Sequence, residues 1–368
     1  MKRYASGLMI IVIVSIGVMS MLRFNVFQPS IHNYPSSSQF DDGRFHNPRP
    51  AQPGEMPTST IRTFWDVFFN KPEDTVPSSP IPIHQLTQAK LEAAPNRSLY
   101  RLGHSTILMK LQDEWFLIDP VFSERASPVK FAGPKRFHPV PIVIDDLPPI
   151  RAVIISHDHY DHLDRATLRR LDSRVSEFIT PLGVGDRLVH WGIEANKVNQ
   201  FDWWGSMSIN DIAITATPAQ HFSGRGLRDG NATLWASWVI EDKSENDTLK
   251  VFFSGDTGYF DGFTEIGERF GPFDITLMET GAYNERWSYA HLHPEESVQA
   301  HLDLDGQWLL PIHNGTFDLA FHAWDDPFEQ VLHFAEKHGV KITTPMIGER
   351  IDMTAPHQGD AWWRTLDQ

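Results

Sequence analysis

A chain of 368 residues, of which 41% are hydrophobic and 21% charged, is long enough to bury a large core, and this composition excludes wholesale disorder. The formal net charge of −15 disfavours nucleic acid as a partner, because an acidic protein repels the phosphate backbone. The chain has no cysteine, which excludes disulfides, thiolate metal ligands and a cysteine nucleophile, so any metal ion must be held by His, Asp or Glu.

Residues 1–27 are predicted to form an N-terminal membrane anchor. The run over residues 5–22 carries no charge and follows Lys2 and Arg3, and roughly 17 apolar residues suffice to cross a bilayer. The run ends without the small residues of a cleavage site, which favours an uncleaved anchor over a cleaved signal peptide. The two cations favour an inside N-terminus, so the catalytic part is predicted to be periplasmic or otherwise extracytoplasmic, with the membrane as a partner.

Residues 28–96 are predicted to be a linker and an arm that packs on the core. Pro, Ser, Asn and Gln are frequent over residues 28–57, which is typical of a tether with few residues to offer to a core. Aromatic residues then recur at helical spacing, which favours a helix packed on the core over a lipid-facing patch. These residues are Phe64, Trp65, Phe68 and Phe69, and the same alternatives apply to Trp203 and Trp204.

Residues 97–368 are predicted to form the catalytic domain, because short apolar runs there alternate with amphipathic ones. Strands are predicted at residues 106–111, 115–118, 152–156, 212–217, 236–240, 251–254, 275–278 and 308–312. Helices are predicted at residues 164–171, 184–191, 295–301 and 327–338. Strands follow one another early and alternate with helices later, which indicates an α/β (α+β) protein, an αββα sandwich rather than a doubly wound parallel sheet.

The strongest chemical signal is the segment IISHDHYDHLD, which follows a buried-strand pattern and opens a helix. It places four potential ligands, His157, His159, Asp161 and His162, in a single turn, and imidazole and carboxylate groups suit zinc or a similar divalent ion. Alternate residues of an extended strand end point the same way, whereas the last two lie past the bend. Two adjacent metal sites are therefore predicted, and a metal-free histidine-rich loop is the weaker alternative.

Three further candidates, His221, Asp256 and His313, each follow a later strand pattern. Each of them alone would more often be a structural loop residue. Together with the first four residues they make up two ligand sets with one carboxylate left to bridge, which is what a closely spaced metal pair requires. Gly255 and Gly258 flank the bridging candidate and would allow a tight turn with close backbone approach.

The sequence around these residues resembles the metallo-β-lactamase superfamily and, within it, the N-acylphosphatidylethanolamine-hydrolysing phospholipase D family. The metal motif identifies only the superfamily, while the SERASP and GPKRF stretches are far narrower and carry the family resemblance. The similar stretches are GHSTILMK from Gly103, IDPVFSERASP from Ile118, GPKRF from Gly133, LPPI from Leu147, SHDHYDHLD from Ser156, PAQHF from Pro218, SGDTGYF from Ser254, GAY from Gly281, HPEES from His293 and IHNGTF from Ile312.

The resemblance implies a metallo-β-lactamase sandwich with two zinc ions per chain. One ion would have three histidine ligands, the other two histidines and a carboxylate, and a second carboxylate would bridge them. In this sequence the first set is His157, His159 and His221, the second is Asp161, His162 and His313, and the bridge is Asp256.

His291, just before HPEES, corresponds to a position beside the active site in the phospholipase family. The alternative is a residue at a helix start, because Pro294, Glu295 and Glu296 mark one there. His293 stands where the family usually has an acid. The predicted anchor and the arm are not part of the family pattern.

Two zinc ions that share a water would lower its pKa and produce hydroxide, the expected nucleophile, at ordinary pH. Asp161 is predicted to ligate and to orient this water, and His291 to bind the phosphate or assist the leaving alkoxide. The resemblance implies N-acylphosphatidylethanolamine as substrate, giving N-acylethanolamine and phosphatidic acid.

Other functions compete with this hypothesis, because the metal ligands do not define the substrate. A lactonase or a soluble phosphodiesterase would need the same ligand set. A nuclease is disfavoured by the acidic charge, and a non-catalytic metal-binding scaffold by the complete ligand set. The predicted partners are therefore a phospholipid substrate and the membrane, not nucleic acid, and a homo-oligomer remains open.

Overall fold

The computed structural model describes residues 33–52, 55, 66, 70–226, 228–245 and 247–366. Two seven-stranded sheets and a small hairpin account for the strands of these residues. The strands are β1 (Phe40–Asp41), β2 (Arg44–Phe45), β3 (Ser98–Gly103), β4 (Thr106–Leu111), β5 (Glu114–Ile118), β6 (Ile150–Ile154), β7 (Val175–Pro181), β8 (Val198–Phe201), β9 (Ser206–Ile209), β10 (Ile212–Thr217), β11 (Ser237–Asp242), β12 (Leu249–Phe253), β13 (Phe273–Glu279), β14 (Gly306–Ile312), β15 (Lys341–Ile342) and β16 (Arg350–Asp352). The α-helices are α1 (Gln88–Glu92), α2 (Arg165–Leu171), α3 (Val184–His190), α4 (Gly262–Phe270), α5 (Pro294–Asp303) and α6 (Asp326–His338).

The first sheet has the strand order β16-β3-β4-β5-β6-β7-β8, antiparallel from β16 to β5 and parallel from β5 to β8. Successive side chains of a strand point to opposite faces, and β4 shows how both faces are used. Ile107 and Met109 pack between the two sheets, whereas Leu108 packs on the outer face. The sheet is therefore buried on both sides.

The second sheet has the order β15-β14-β13-β12-β11-β10-β9, antiparallel from β9 to β12 and parallel from β12 to β15. In β12 the side chain of Phe253 enters the core between the sheets, and that of Phe252 enters the outer core. Parallel sheets need cover on both faces, and this half of the sheet has it.

Helices cover both outer faces. Leu168 of α2 and Leu188 of α3 pack on the first sheet, and Phe263 of α4 and Val331 of α6 pack on the second. The predicted αββα sandwich is confirmed. Strands β4 and β10 have the predicted bounds, whereas β7 and α4 were not predicted from the sequence.

Neighbouring parallel strands end at the same edge of each sheet. In the first sheet β5 and β6 end there, and in the second sheet β12, β13 and β14 do. Because the sheets are stacked, the loops that leave these ends come from both sheets and can meet at one side of the sandwich. Each predicted metal ligand follows one of these ends or the end of β10.

The described part of the arm packs on the sandwich. Strands β1 and β2 form a two-stranded hairpin, and the fully buried Phe45 enters the core between the sheets beside Tyr34. The arm, which was predicted to offer few residues to the core, thus contributes Phe45 to it. Trp203 is also buried, with its Nε1 donating to the Trp235 carbonyl at 2.7 Å, which favours packing over contact with lipid. The aromatic residues predicted at 64–69 lie outside the described residues.

The structure contradicts the prediction of a membrane anchor with an extracytoplasmic catalytic domain. No helix within the described part of the chain is long and apolar enough to span a membrane. The longest of these helices, α6, has 13 residues, whereas a span needs about 20 apolar ones. The apolar run over residues 5–22, on which the prediction was based, lies outside the described residues.

Candidate metal centre

The histidine-rich segment is held by main-chain contacts where it leaves the first sheet. Beyond β6, the Ser156 N–H donates to Asp119 Oδ1 at 2.7 Å. The Leu163 N–H then donates to the His159 carbonyl at 2.8 Å, which closes a turn. The Asp164 side chain accepts from the Ala166 N–H and starts α2. The segment is therefore a rigid turn between a buried strand and a capped helix.

The first group of candidate ligands consists of three histidines and one carboxylate. His159 Nδ1 lies 2.9 Å from His157 Nε2 and 3.2 Å from His221 Nε2. Asp256 Oδ2 lies 3.7 Å from Nε2 of both His157 and His221. Tetrahedral zinc with bonds near 2.0–2.1 Å separates its ligand atoms by about 3.3 Å. These four atoms are thus spaced as the ligands of one ion would be.

The second group surrounds Asp161. Its Oδ2 lies 3.3 Å from His313 Nε2, 3.6 Å from His162 Nε2 and 3.0 Å from His104 Nε2. His104 was not predicted as a site residue. It lies in the turn between β3 and β4 with φ of 52°, inside the GHST stretch that the family resemblance included without a role.

Asp256 lies between the two groups. Its Oδ1 is 3.0 Å from His162 Nε2, and its Oδ2 is 3.1 Å from His313 Nε2, in addition to the contacts with the first group. Both flanking glycines are required. Gly255 has φ of +58°, and a Cβ on Gly258 would lie 2.2 Å from the Tyr289 carbonyl oxygen. The structure thus brings all seven predicted ligands together, with Asp256 between the two groups.

The polar atoms of the centre fit a bound cation. Nε2 of His162 and of His313 and Oδ1 of Asp256 are buried and form no hydrogen bond within the described residues. Buried polar atoms in proteins nearly always have a partner. A divalent ion among these atoms would satisfy all of them, so the residues present fit the metal that the sequence predicts.

The electrostatics of the two groups differ. Burial holds the pKa of His157 and of His221 well below the usual value, so both rings are neutral and offer a lone pair. Burial also opposes charge on His162, but Asp256 and Asp161 outweigh it and raise its pKa well above the usual value. In the same way Asp256 raises the pKa of His313 to about 10 against the effect of burial. Protons there balance the carboxylates, and a metal ion would displace them.

A second shell of acceptors orients the rings. Asp119, which directly follows β5, accepts from Nδ1 of His162 at 2.7 Å, and the Ala290 carbonyl accepts from Nδ1 of His221 at 2.8 Å. Each bond turns the Nε2 of that ring towards the centre. Asp119 was not predicted as a site residue from the sequence, although its position as a carboxylate directly after a buried strand could have indicated this role.

His291 lies beside the centre, with its ring centroid 5.1 Å from that of His221 and 5.6 Å from that of His313. Its Nδ1 is bound to the carboxylate of Glu279. His293 is the N-cap residue of α5, and its N–H donates to Glu296 Oε2 at 2.9 Å. His291 therefore belongs to the site rather than to the helix start.

A cavity of about 290 Å³ opens onto these groups. Its floor is polar and its walls are largely apolar. The floor consists of His159, Asp161, Asp256, His291 and His313, and the walls of Phe222, Ala282, Trp287 and Leu319. A ligand in this cavity would contact metal ligands at one end and apolar side chains along its length.

The candidate ligands form two buried clusters of histidine and carboxylate side chains, which share Asp256 and lie at one edge of an αββα sandwich. This arrangement is typical of a metal-dependent hydrolase. The chain belongs to the metallo-β-lactamase superfamily: the family described as "Beta-lactamase superfamily domain" matches residues 114–314. This fold implies a divalent metal ion, and the histidine and aspartate groups described above are where one could bind.

Sequence similarity to known proteins extends over most of the chain. An uncharacterized protein of Mycobacterium tuberculosis is 39% identical over 89% of this chain and 88% of its own length. The N-acyl-phosphatidylethanolamine-hydrolyzing phospholipase D 1 of Caenorhabditis elegans is 36% identical over 68% of this chain and 73% of its own length. The mitochondrial phospholipase D of the same description from Saccharomyces cerevisiae is 34% identical over 61% of this chain and 49% of its own length. The predicted resemblance to this family is confirmed.

Solved structures show the same fold. A metallo hydrolase from Ignicoccus hospitalis superposes with a TM-score of 0.52 at 21% identity, covering 69% of this chain and 97% of that one. A possible metal-dependent hydrolase from Veillonella parvula superposes with a TM-score of 0.54 at 18% identity, covering 70% of this chain and all of that one. At this identity the likeness concerns the fold alone.

Proposed function

We propose that this protein is a zinc-dependent phosphodiester hydrolase that cleaves N-acylphosphatidylethanolamine into N-acylethanolamine and phosphatidic acid. The observation that carries the proposal is the position of Asp256, whose carboxylate reaches both histidine groups at the floor of a cavity with apolar walls. A paired metal site suits phosphodiester chemistry, and the apolar walls suit a lipid. The C. elegans relative, whose description names this activity, supports the choice of substrate.

The ligand sets follow from the two groups. One zinc ion would be held by three histidines, the other by Asp161 and two histidines, and both by Asp256. The histidines are His157, His159 and His221 for the first ion and His162 and His313 for the second. When bound, two such ions lower the pKa of a shared water and offset negative charge on the phosphoryl oxygens.

The remaining steps fall to the side chains of the chain itself. Asp161 lies at the floor of the cavity with Oδ2 held by His104 Nε2 at 3.0 Å, so it can accept a hydrogen bond from the attacking water and orient it. His291 has Nδ1 engaged with Glu279, which leaves Nε2 for the substrate. At the cavity floor, that nitrogen is placed to bind a phosphoryl oxygen or the departing alkoxide.

The apolar walls serve binding rather than chemistry. Phe222 and Trp287 border the cavity on different loops, and Leu319 adds an aliphatic surface. Contact with acyl or glycerol carbons would remove their surface from water at roughly 25 cal/mol per Å².

The test is a substrate comparison with the purified, zinc-loaded protein. N-acylphosphatidylethanolamine, a lactone panel and bis(4-nitrophenyl) phosphate are assayed in parallel in H₂¹⁸O, with products identified by mass spectrometry. We expect N-acylethanolamine together with phosphatidic acid that carries ¹⁸O on phosphorus, because water attacks the phosphorus atom. The Asp256→Asn variant is the matched control for metal-dependent turnover. Turnover of a lactone alone, or of the soluble diester alone, would move the protein to the lactonase or soluble phosphodiesterase alternative.

A further inference from the structure

Glu279 is a buried carboxylate with no role in the proposed ligand sets. It is the last residue of β13, and its side chain is fully buried. Its main chain is held on both sides, because its N–H donates to Ser254 Oγ at 2.9 Å and its carbonyl accepts from Ser297 Oγ at 2.5 Å. A charged group in such a position must be matched by specific partners.

Its carboxylate contacts two histidines and one main-chain N–H. The Nδ1 of His291 is bound to Oε1, and the Nδ1 of His313 lies 3.6 Å from the same oxygen. Oε2 accepts from the N–H of Thr257 at 2.6 Å. Thr257 directly follows the bridging candidate Asp256 in the chain. One carboxylate thus touches the substrate-facing histidine, a metal-facing histidine and the turn that carries the bridge.

The two histidine rings are oriented by these contacts. In each ring Nδ1 faces Glu279, and the other nitrogen faces the site: Nε2 of His313 is 3.1 Å from Asp256 Oδ2, and His291 lines the cavity. A carboxylate that accepts from Nδ1 of His291 selects the tautomer with its lone pair on Nε2 and limits rotation of that ring. Its negative charge, 3.6 Å from Nδ1 of His313, favours a proton on that nitrogen and so leaves Nε2 of His313 for the metal. Within the described residues Nδ1 of His313 forms no hydrogen bond, so its 3.6 Å approach to Glu279 is an ion-pair contact, whereas Nδ1 of His291 is hydrogen-bonded to the same carboxylate.

We infer that Glu279 is a positioning residue that orients both His291 and His313, and so couples the geometry of the substrate-facing histidine to that of the metal centre. The part that concerns His291 rests on the proposed function, whereas the part that concerns His313 rests on metal binding alone. Direct ligation by Glu279 is the competing role, because Asp256, Glu279, His291 and His313 could also surround an ion. Positioning is favoured because both carboxylate oxygens already have donors, His291 Nδ1 and the Thr257 N–H.

The test compares Glu279→Gln, which keeps the size and one acceptor oxygen, with Glu279→Leu, which keeps neither acceptor. Zinc affinity is measured by competition with a chromophoric chelator, and the tautomers of His291 and His313 by ¹⁵N NMR of the imidazoles. Second-shell carboxylates typically change metal affinity or activity by about 10- to 100-fold. We expect zinc affinity at one of two sites and kcat to fall by a factor of that size, while KM changes little. Both losses should be larger in the Leu variant than in the Gln variant.

The matched control is His291→Gln, which should lower kcat but leave zinc affinity and stoichiometry as in the unmodified protein. In the Glu279→Gln variant the Nδ1-protonated tautomer of His291 should no longer dominate. Unchanged tautomers and unchanged zinc affinity in this variant would overturn the inference. Loss of one full equivalent of zinc with the His291 tautomer retained would also overturn it, in favour of direct ligation.

The outcome remains separate from that of the proposed function. If the unmodified protein cleaves no phosphodiester, the proposed function fails, while zinc affinity and the imidazole spectra still decide the role of Glu279. If the Leu variant does not fold, the Gln variant alone decides it, because glutamine preserves the packing volume of the site.

Discussion

The side-chain amide of Asn47 pairs with both main-chain polar groups of His221, a residue 174 positions later in the chain. Asn47 Nδ2 donates to the His221 carbonyl at 2.6 Å, and Asn47 Oδ1 accepts from the His221 N–H at 2.9 Å. The same oxygen accepts from Trp235 Nε1 at 3.0 Å. The N-terminal arm therefore holds the backbone of one candidate metal ligand in place.

Replacing Asn47 by alanine should loosen the metal centre. The variant leaves the N–H and C=O of His221 buried without a partner, which costs about 2 to 4 kcal/mol. We expect a lower Tm and faster loss of zinc to a chelator, both measurable on the purified protein. Asn199→Ala, which removes an asparagine contact of 3.2 Å with Glu177 at the edge strand β8, is the control and should leave zinc retention unchanged. Equal zinc retention in both variants would show that the arm does not support the site.

The change Asp256→Asn tests the bridging position. Asparagine keeps the shape but removes the negative charge that a bridging carboxylate supplies between two cations. Activity should fall by at least about 100-fold while the fold survives, because the residue lies in a loop and not in the apolar core. Circular dichroism and turnover are compared with those of Asp145→Asn, an exposed residue paired with Arg170. Near-normal turnover would mean that Asp256 is an ordinary turn residue.

Metal analysis and chelation test the centre as a whole. Seven ligand residues are too many for one tetrahedral ion, so the protein should hold close to two zinc ions per chain. Removing them should abolish activity and lower the Tm, since a ligand present at 100 times its Kd stabilises the folded state by about 2.7 kcal/mol. Added zinc should restore both. A protein that stays active after complete removal of metal is incompatible with the proposed chemistry.

Acid stability should depend on His301, which lies on α5 away from the metal ligands. Burial lowers the pKa of this histidine to about 4, and its Nδ1 is 2.7 Å from Thr276 Oγ1. The unfolded chain takes up a proton near pH 6.5 and the folded protein does not, so stability is full above pH 6.5 and falls as the pH drops towards 4. The loss amounts to roughly 3 kcal/mol.

Urea unfolding at several pH values measures this effect. The variant His301→Gln should show a smaller loss of unfolding free energy between pH 6.5 and 4 than the unmodified protein. His104 and His138 contribute to the slope in both proteins, because burial lowers the pKa of each to about 3, so only the difference between the two curves counts. Identical slopes would place the acid sensitivity elsewhere.

The sequence alone determined the features that depend on neighbouring residues. His157, His159, Asp161 and His162 could be recognised as ligands because they lie within one turn after a buried strand. Eight strands, β4 to β6 and β10 to β14, could be recognised from alternation and apolar runs, since the side-chain direction in a strand repeats every second residue, whereas β3 and β7 to β9 were missed. Candidate ligands at the ends of later strands could be proposed because a sandwich can bring the loops at strand ends together.

Only the tertiary structure decided which distant residues support the centre. His104, Glu279 and Asn47 each carry an ordinary local pattern, and their contacts come from a turn, a strand end and an arm that meet only when the two sheets stack. Packing and the need to pair buried polar groups decide which of these contacts form, and the neighbouring residues in the chain do not. The apolar walls of the cavity were likewise decided by the fold, because Phe222, Trp287 and Leu319 come from three separate connections between strands and helices.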